Sequence, residues 1–193
     1  MALTVYSFEG VTPVVDPTAY VHPSAVLIGD VIVGPRCFIG GNAVLRGDFG
    51  RIEMHEESNV QDNCTVHSLP DFDCVMARRA HIGHGAIIHA AYIGVDALVG
   101  MNAVVLDRAR VGDQAIVGAM SLVKMGGEVP PRTLWTGVPG QVVRELTPAA
   151  LAGKSRGTDL YVELARRCRA GLDAVYPLSE VEPDRARTRW QFD

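Results

Sequence analysis

Nowhere in these 193 residues is there a run approaching the roughly 18 apolar residues that cross a bilayer as a helix. The opening MALTVYSFEG also lacks a cationic region followed by an apolar one. Together these absences exclude a membrane span and predict a cytoplasmic protein. A field of one sign is missing too. Eighteen Lys and Arg against 22 Asp and Glu leave a formal charge of −4, with both signs spread along the chain, so nothing grips a nucleic-acid backbone or an anionic membrane. Small molecules are the expected partners. The four cysteines, Cys37, Cys64, Cys74 and Cys168, show no CxxC spacing and no dense framework. That excludes a disulfide scaffold and predicts reduced thiols. The length allows one domain with a sizeable core and a small appendage.

What the sequence does have is a period of six. Val15, Val21, Leu27, Val33, Ile39 and Leu45 recur without a miss, as do Ile87, Ile93, Val99, Val105, Val111, Val117 and Val123. A helix needs spacings near 3.6 and a plain strand needs two; six implies a short strand plus a corner. Glycine often follows the aliphatic residue, as in Ile93-Gly94, Val99-Gly100, Val111-Gly112 and Val117-Gly118, which suits a corner where a side chain would be in the way. Stacked, such units form an all-β solenoid, a parallel β-helix in which each coil buries its neighbour's core. This domain is predicted over 1–146. A helix over 147–172 follows, with Thr147 as cap and Pro148 in its first turn. Its apolar stripe is Tyr161, Leu164, Ala165, Cys168 and Leu172, opposite a solvated face of Arg166, Arg167 and Arg169. Gly153 and Gly157 weaken its first half, where a kink or fraying is expected. An extended tail takes up 173–193.

The period fails between Leu45 and Ile82. Ile52, Val60 and Val66 lie in a shifted register, SLPDFDC (68–74) reads as a loop, and the histidines collect at the break. Such breaks are where solenoids place function. If Ile82 and Ile87 start successive repeats, His84 and His89 each fall two places after an inward residue, on adjacent faces. Their side chains then diverge within one chain, and a site shared between subunits resolves the conflict. His67, 17 residues before His84, falls close to one coil away, on or near the face of His84 or the corner beside it. Three neutral imidazoles with an open fourth position make a catalytic zinc site, though Fe2+ or Co2+ also suit such ligands. His81, in a corner or inward position in this register, is left outside the set.

The segments YVHPSAVLIGDVIVG, LRGDFGRI, NVQDN, HIGHGAIIH, ALVGMNAVV, GVPGQVVREL and GTDLYVELARRC resemble the γ-class carbonic anhydrase family of trimeric left-handed β-helix proteins. The similarity is greater to its branch of phenylacetic acid degradation and carnitine-operon proteins, the PaaY and CaiE type, and runs from about residue 5 to 185. The resemblance implies a homotrimer with metal sites at the subunit interfaces, each held by His67 and His89 of one chain and His84 of its neighbour. It further implies an Arg46–Asp62 ion pair at the interface, a metal-bound water oriented by Asp48 and Gln61, Asn59 near the substrate, and Tyr161 reaching the site from the C-terminal helix. Where fast carbonic anhydrases carry glutamate proton shuttles, this chain has Phe49 after Asp48 and only Asp71 and Asp73 after His67; slow proton export is the consequence.

Three activities are consistent with such a site. The first is a metal-dependent hydrolase, a thioesterase cleaving CoA thioesters linked to phenylacetate and other aromatic catabolism. The alternative is reversible CO2 hydration by the same metal. The second alternative is a hexapeptide-repeat acyltransferase, which generally uses one histidine as a base and no metal triad, or a site kept for assembly only.

Overall fold

The computed structural model describes residues 3–190; the first two residues of the domain predicted over 1–146, and the last three of the tail predicted over 173–193, lie outside the described residues. The chain coils into a parallel β-solenoid with three faces. On one face seven strands stack in parallel: Tyr20–Val21, Phe38–Ile39, Asn59–Val60, His81–Ile82, Leu98–Val99, Ile116–Val117 and Thr133–Gly137. The last pairs antiparallel with Gly140–Glu145, and this hairpin ends the stack. The other two faces belong to one sheet, because the long strands Val26–Val33 and Val44–Met54 run round the corner between them. No described helix is long and apolar enough to cross a membrane.

Each face sends two residues inward. The aliphatic positions form one set, and two residues earlier comes a small residue such as Ala25, Ala43, Ala86, Ala97, Ala103 or Ala115, all fully buried. Cys37 and Cys64 take such alanine places, and Cys74 is equally buried. Burial pushes their thiols up to about 11, 11 and 12, so they act as apolar filler and all four cysteines are free. The glycines after the aliphatic residues are required by close stacking. A Cβ on Gly94 would meet Val111 O at 2.7 Å, and one on Gly100 would meet Ala119 N at 2.5 Å. The left-handed backbone of the corner lies two residues further on, at Asp96, Asn102, Gln114 and Met120, with φ of 51° to 58°.

The repeat does not stop at the break. Ile52, Met54, Val60, Val66 and Met76 carry the inward column through it, each no more than 1% exposed. Cys74, read as loop, begins the strand Cys74–Met76. One register expectation is corrected: Ile88, paired with Val66 and Val105, is the inward residue, whereas Ile87 is 42% exposed. Ile93 then follows Ile88 at a spacing of five instead of six, and the corner between them closes at Ala90, whose φ is 44°.

The helix spans Pro148–Gly171, with the Thr147 hydroxyl accepting from Ala150 N at 3.2 Å. It lies on the seven-strand face, where Ala165, Tyr161, Leu164 and Cys168 pack with Tyr20 and Phe38. Leu172, expected on this stripe, is 53% exposed. The first half is unbroken despite Gly153 and Gly157, because Leu151, Lys154 and Thr158 are buried there. Lys154 Nζ sits 2.7 Å from Asp96 Oδ1, and Arg79 reaches Asp159 Oδ1 at 2.7 Å. Beyond the helix, residues 172–189 are exposed without regular structure, and Arg167 stacks over Trp190 at 4.4 Å.

The corrected register makes a simple test. Ile88→Ala is expected to destabilise by about 2–5 kcal/mol and Ile87→Ala by less than about 1 kcal/mol, read from urea unfolding midpoints; equal losses would restore the original register.

Candidate metal centre

The strands Thr65–His67 and Ile87–His89 lie side by side with His67 and His89 as register partners. His67 therefore stacks on His89, on the strand that follows the corner carrying His84, and not one coil below His84 itself. The coil between them is 22 residues long because residues 68–73 leave the stack and return, closed by a Leu69–Phe72 bridge. This excursion packs onto Gly50, where a Cβ would stand 2.3 Å from Leu69 O and 2.9 Å from Phe72 O.

The imidazoles face each other with His67 Nδ1 and His89 Nε2 3.0 Å apart. Both outer nitrogens meet carboxylates: His89 Nδ1 lies 2.5 Å from Asp107 Oδ1, and His67 Nε2 lies 3.0 Å from Asp48 Oδ1. With each outer N–H donated to its carboxylate, both inner nitrogens present lone pairs to one another. Lone pairs at that separation repel, and a proton or a metal cation between them removes the conflict. Tetrahedral zinc would hold the two nitrogens about 3.3 Å apart, so this donor pair, backed by carboxylates, fits a divalent metal. Burial lowers the pKa of His67, although its bond to Asp48 opposes this. Burial would raise Asp48, but hydrogen bonds from Arg46, at 2.7 Å, and from His67 hold it below the usual carboxylate value.

The remaining candidates form a second group. His84 stands at the corner after His81–Ile82, with Nδ1 2.9 Å from Asp62 Oδ2 and Nε2 3.3 Å from the Tyr161 hydroxyl. Tyr161 is pushed up to about 12, by burial first and by Asp62 second, so its hydroxyl remains a donor. Among the described residues no three His, Cys, Asp or Glu side chains of one chain converge as a metal site. Arg46 pairs with Asp48 within the chain, not with Asp62. Gln61 is buried with its carboxamide fully engaged: Nε2 donates to Asn59 Oδ1 at 3.1 Å and to His81 Nε2 at 2.6 Å, and Oε1 accepts from His84 N at 3.2 Å. Asn59 is buried beside it, its Nδ2 without a partner among the described residues. Phe49 lies against His67 with ring centroids 5.1 Å apart.

Comparison with known proteins now decides the family. The description "Bacterial transferase hexapeptide (six repeats)" matches residues 12–47. Carnitine operon protein CaiE of Citrobacter koseri is 53% identical over 187 residues, covering 97% of this chain and 95% of that protein. The Salmonella newport CaiE is 50% identical over 191 residues, covering 99% and 96%. The chain belongs to the CaiE family of hexapeptide-repeat proteins. Among solved structures, a Bacillus cereus protein described as a candidate acetyltransferase superposes with a TM-score of 0.86 at 34% identity, over 87% of this chain and 98% of that one. A hexapeptide transferase family protein from Anaplasma phagocytophilum gives 0.83 at 36% identity, over 86% and 99%.

Two features of this CaiE-family site were not read from sequence. Asp107 follows His89 by 18 residues, one regular coil, and that spacing is the signal that would have found it. His81 occupies neither a corner nor an inward place. It is an outward residue beneath the helix, its Nδ1 3.3 Å from the Thr158 hydroxyl and its ring edge-on to Tyr161 at 5.1 Å. Burial, reinforced by the charge of Lys154, lowers its pKa to about 3.

Because His81 is folded neutral, its stabilising share is complete above the unfolded value near 6.5 and is lost as pH falls toward about 3. The chelated, metal-free protein is expected to lose up to about 1.4 kcal/mol per pH unit from this residue between these limits. Urea unfolding at pH 4.5 to 7.5 should show a shallower acid loss in His81→Gln than in wild type, and parallel curves would remove His81 from the account.

Proposed function

We propose that this chain is a metal-dependent hydrolase cleaving CoA thioesters, linked to phenylacetate and related aromatic catabolism. In this reading it works as a homotrimer, with zinc, or else Fe2+ or Co2+, between His67 and His89 of one subunit and His84 of the next. The observation that carries the reading is the pair of facing nitrogens, His67 Nδ1 and His89 Nε2, 3.0 Å apart with a carboxylate on the far side of each ring. A divalent metal bound there supplies an acidified water and a Lewis acid for an acyl carbonyl. The chain's own residues do the positioning. Asp48, held ionised by Arg46, keeps the proton of His67 on Nε2, and Asp107 does the same for His89 at Nδ1. Phe49 puts an apolar surface beside His67, suited to an acyl group, where a carboxylate shuttle would serve fast CO2 hydration. Arg46, paired with Asp48, and Asp62, paired with His84, keep side chains 43% and 48% exposed in one chain, within reach of a neighbouring subunit.

A second reading, acyl transfer, is favoured by the names of the two similar solved structures. The deciding experiment assays metal-analysed protein against a panel of acyl-CoA thioesters, with and without amine or hydroxyl acceptors, and measures CO2 hydration alongside. Stoichiometric metal with acceptor-independent thioester cleavage supports the proposal. Metal-free protein that needs an acceptor supports transfer, and CO2 hydration without thioester cleavage supports the carbonic anhydrase alternative.

His67→Ala, His84→Ala and His89→Ala are each expected to lose most bound metal and nearly all hydrolysis. Mixing His84→Ala with His89→Ala chains should restore part of both, because some interfaces regain a full ligand set. Mixed oligomers with no recovery, their mixing confirmed by mass spectrometry, would exclude the shared site.

A further inference from the structure

We infer that His81 is a positioning residue: together with Thr158 of the C-terminal helix it clamps the Gln61 carboxamide, which in turn fixes the backbone at His84. The chain of contacts is continuous. The Thr158 hydroxyl, fully buried, lies 3.3 Å from His81 Nδ1. A proton on Nδ1 donated to that hydroxyl leaves Nε2 as an acceptor, and Nε2 lies 2.6 Å from the Gln61 amide nitrogen. The other N–H of that nitrogen goes to Asn59 Oδ1 at 3.1 Å. Both donors of Gln61 are thereby spent, and its one remaining group, Oε1, accepts from the His84 backbone N–H at 3.2 Å.

The ring of His81 is not free to turn away from this task. Tyr161 stands edge-on to it with planes 85° apart, and the same tyrosine carries its hydroxyl to His84 Nε2 at 3.3 Å. The helix thus reaches His84 by two routes, to its ring through Tyr161 and to its backbone through Thr158, His81 and Gln61. Polar groups linked this way inside a low-dielectric interface hold one arrangement, because breaking any one contact strands a buried donor or acceptor. An aliphatic residue at 81 would fill the space and leave the Gln61 N–H unpaired.

The consequence for turnover rests on the metal-hydrolase reading above, but the clamp itself does not, and the test separates them. Amide hydrogen exchange at His84 is measured first in the chelated, metal-free protein. In His81→Leu it is expected to quicken by about 10-fold or more, the factor equivalent to about 1.4 kcal/mol of lost hydrogen bonding. The ladder amides of Ile82 and Ile88 should stay unchanged. His81→Gln, whose Oε1 can accept near the place of Nε2, should restore slow exchange. Thr158→Val, which leaves the ring but removes its anchor, should give a smaller change in the same direction and serves if His81→Leu fails to fold. In the metal-loaded protein, His81→Leu should keep its metal and its KM while kcat falls about 10- to 100-fold, with recovery in His81→Gln. Unchanged His84 exchange in both His81→Leu and Thr158→Val overturns the clamp, as does a His81→Gln variant no better than His81→Leu. Loss of metal in His81→Leu would instead make His81 a ligand and overturn the positioning role. If the wild type hydrolyses no thioester while the exchange changes appear, the clamp stands and the proposed activity falls.

Discussion

Every coil of the solenoid gives its backbone N–H groups to the coil above: Tyr92 N–H to Ala109 O, Leu98 N–H to Ala115 O, Val104 N–H to Ser121 O, each at 2.8 to 3.0 Å. A backbone group buried without a partner is costly, so a coil can neither shift by one residue nor lift away from its neighbour. The inward column of aliphatics, the small residues two places before them and the clash-barred glycines all follow from that spacing. So does the left-handed backbone at Asp96, Asn102 and Gln114, which turns the corner in a conformation that favours Asn and Asp among non-glycine residues. What the period imposes on the structure it also imposes on the site: two side chains one coil apart on the same face must touch.

This is why so much of the fold could be read from spacing and why the reading faltered where it did. A six-residue recurrence survives in the sequence as long as each face holds six residues. Between Leu45 and Ile82 faces of unequal length intervene, and the aliphatic positions no longer announce themselves. Ile87-Ile88 then offers two equal choices of inward residue, and hydrophobicity alone cannot separate them. Pairing with Val66 below and Val105 above can, but only once the coil lengths are known. The same uncertainty of coil length put His67 beside His84 in the sequence reading, when the 22-residue coil sets it on His89.

The helix announced itself through its cap and apolar stripe, and only part of its buried face went unread, for a different reason. Its buried face is part polar: Lys154 and Thr158 are buried alongside Leu151 and Ala165, and an apolar-stripe reading misses both. Lys154 reaches Asp96, itself at a corner position with positive φ, while Arg79, at another such corner, bridges Asp96, Glu57 and Asp159. Burial lowers Lys154 to about 8, although its bond to Asp96 works the other way. Buried ion pairs are weak sources of net stability, because desolvation offsets their attraction. Their geometry is nevertheless demanding, and here it sets where along the solenoid the helix lies. A greasy stripe alone would tolerate a slide along the face; Lys154 over Asp96 and Thr158 over His81 do not.

That placement explains why an irregular coil and an appended helix occur at one level of the stack. The corner at His84 is closed like its neighbours, with its backbone N–H held by a side chain of the adjacent coil, as Asp113 Oδ1 holds Val95 N–H. The longer coil sets His67 against His89, and its excursion leans on Gly50, one residue beyond Phe49 and two beyond Asp48. On the other side of the corner the helix supplies Tyr161 and Thr158. The solenoid gives the site its rigidity, and the two departures from the repeat give it groups that six-residue coils could not bring together: a carboxylate-backed histidine pair on one face, and a histidine held from above by a helix at the next corner. His84 and His89 stand on different faces, and only in the proposed trimer with a shared metal would both departures act on the same atom.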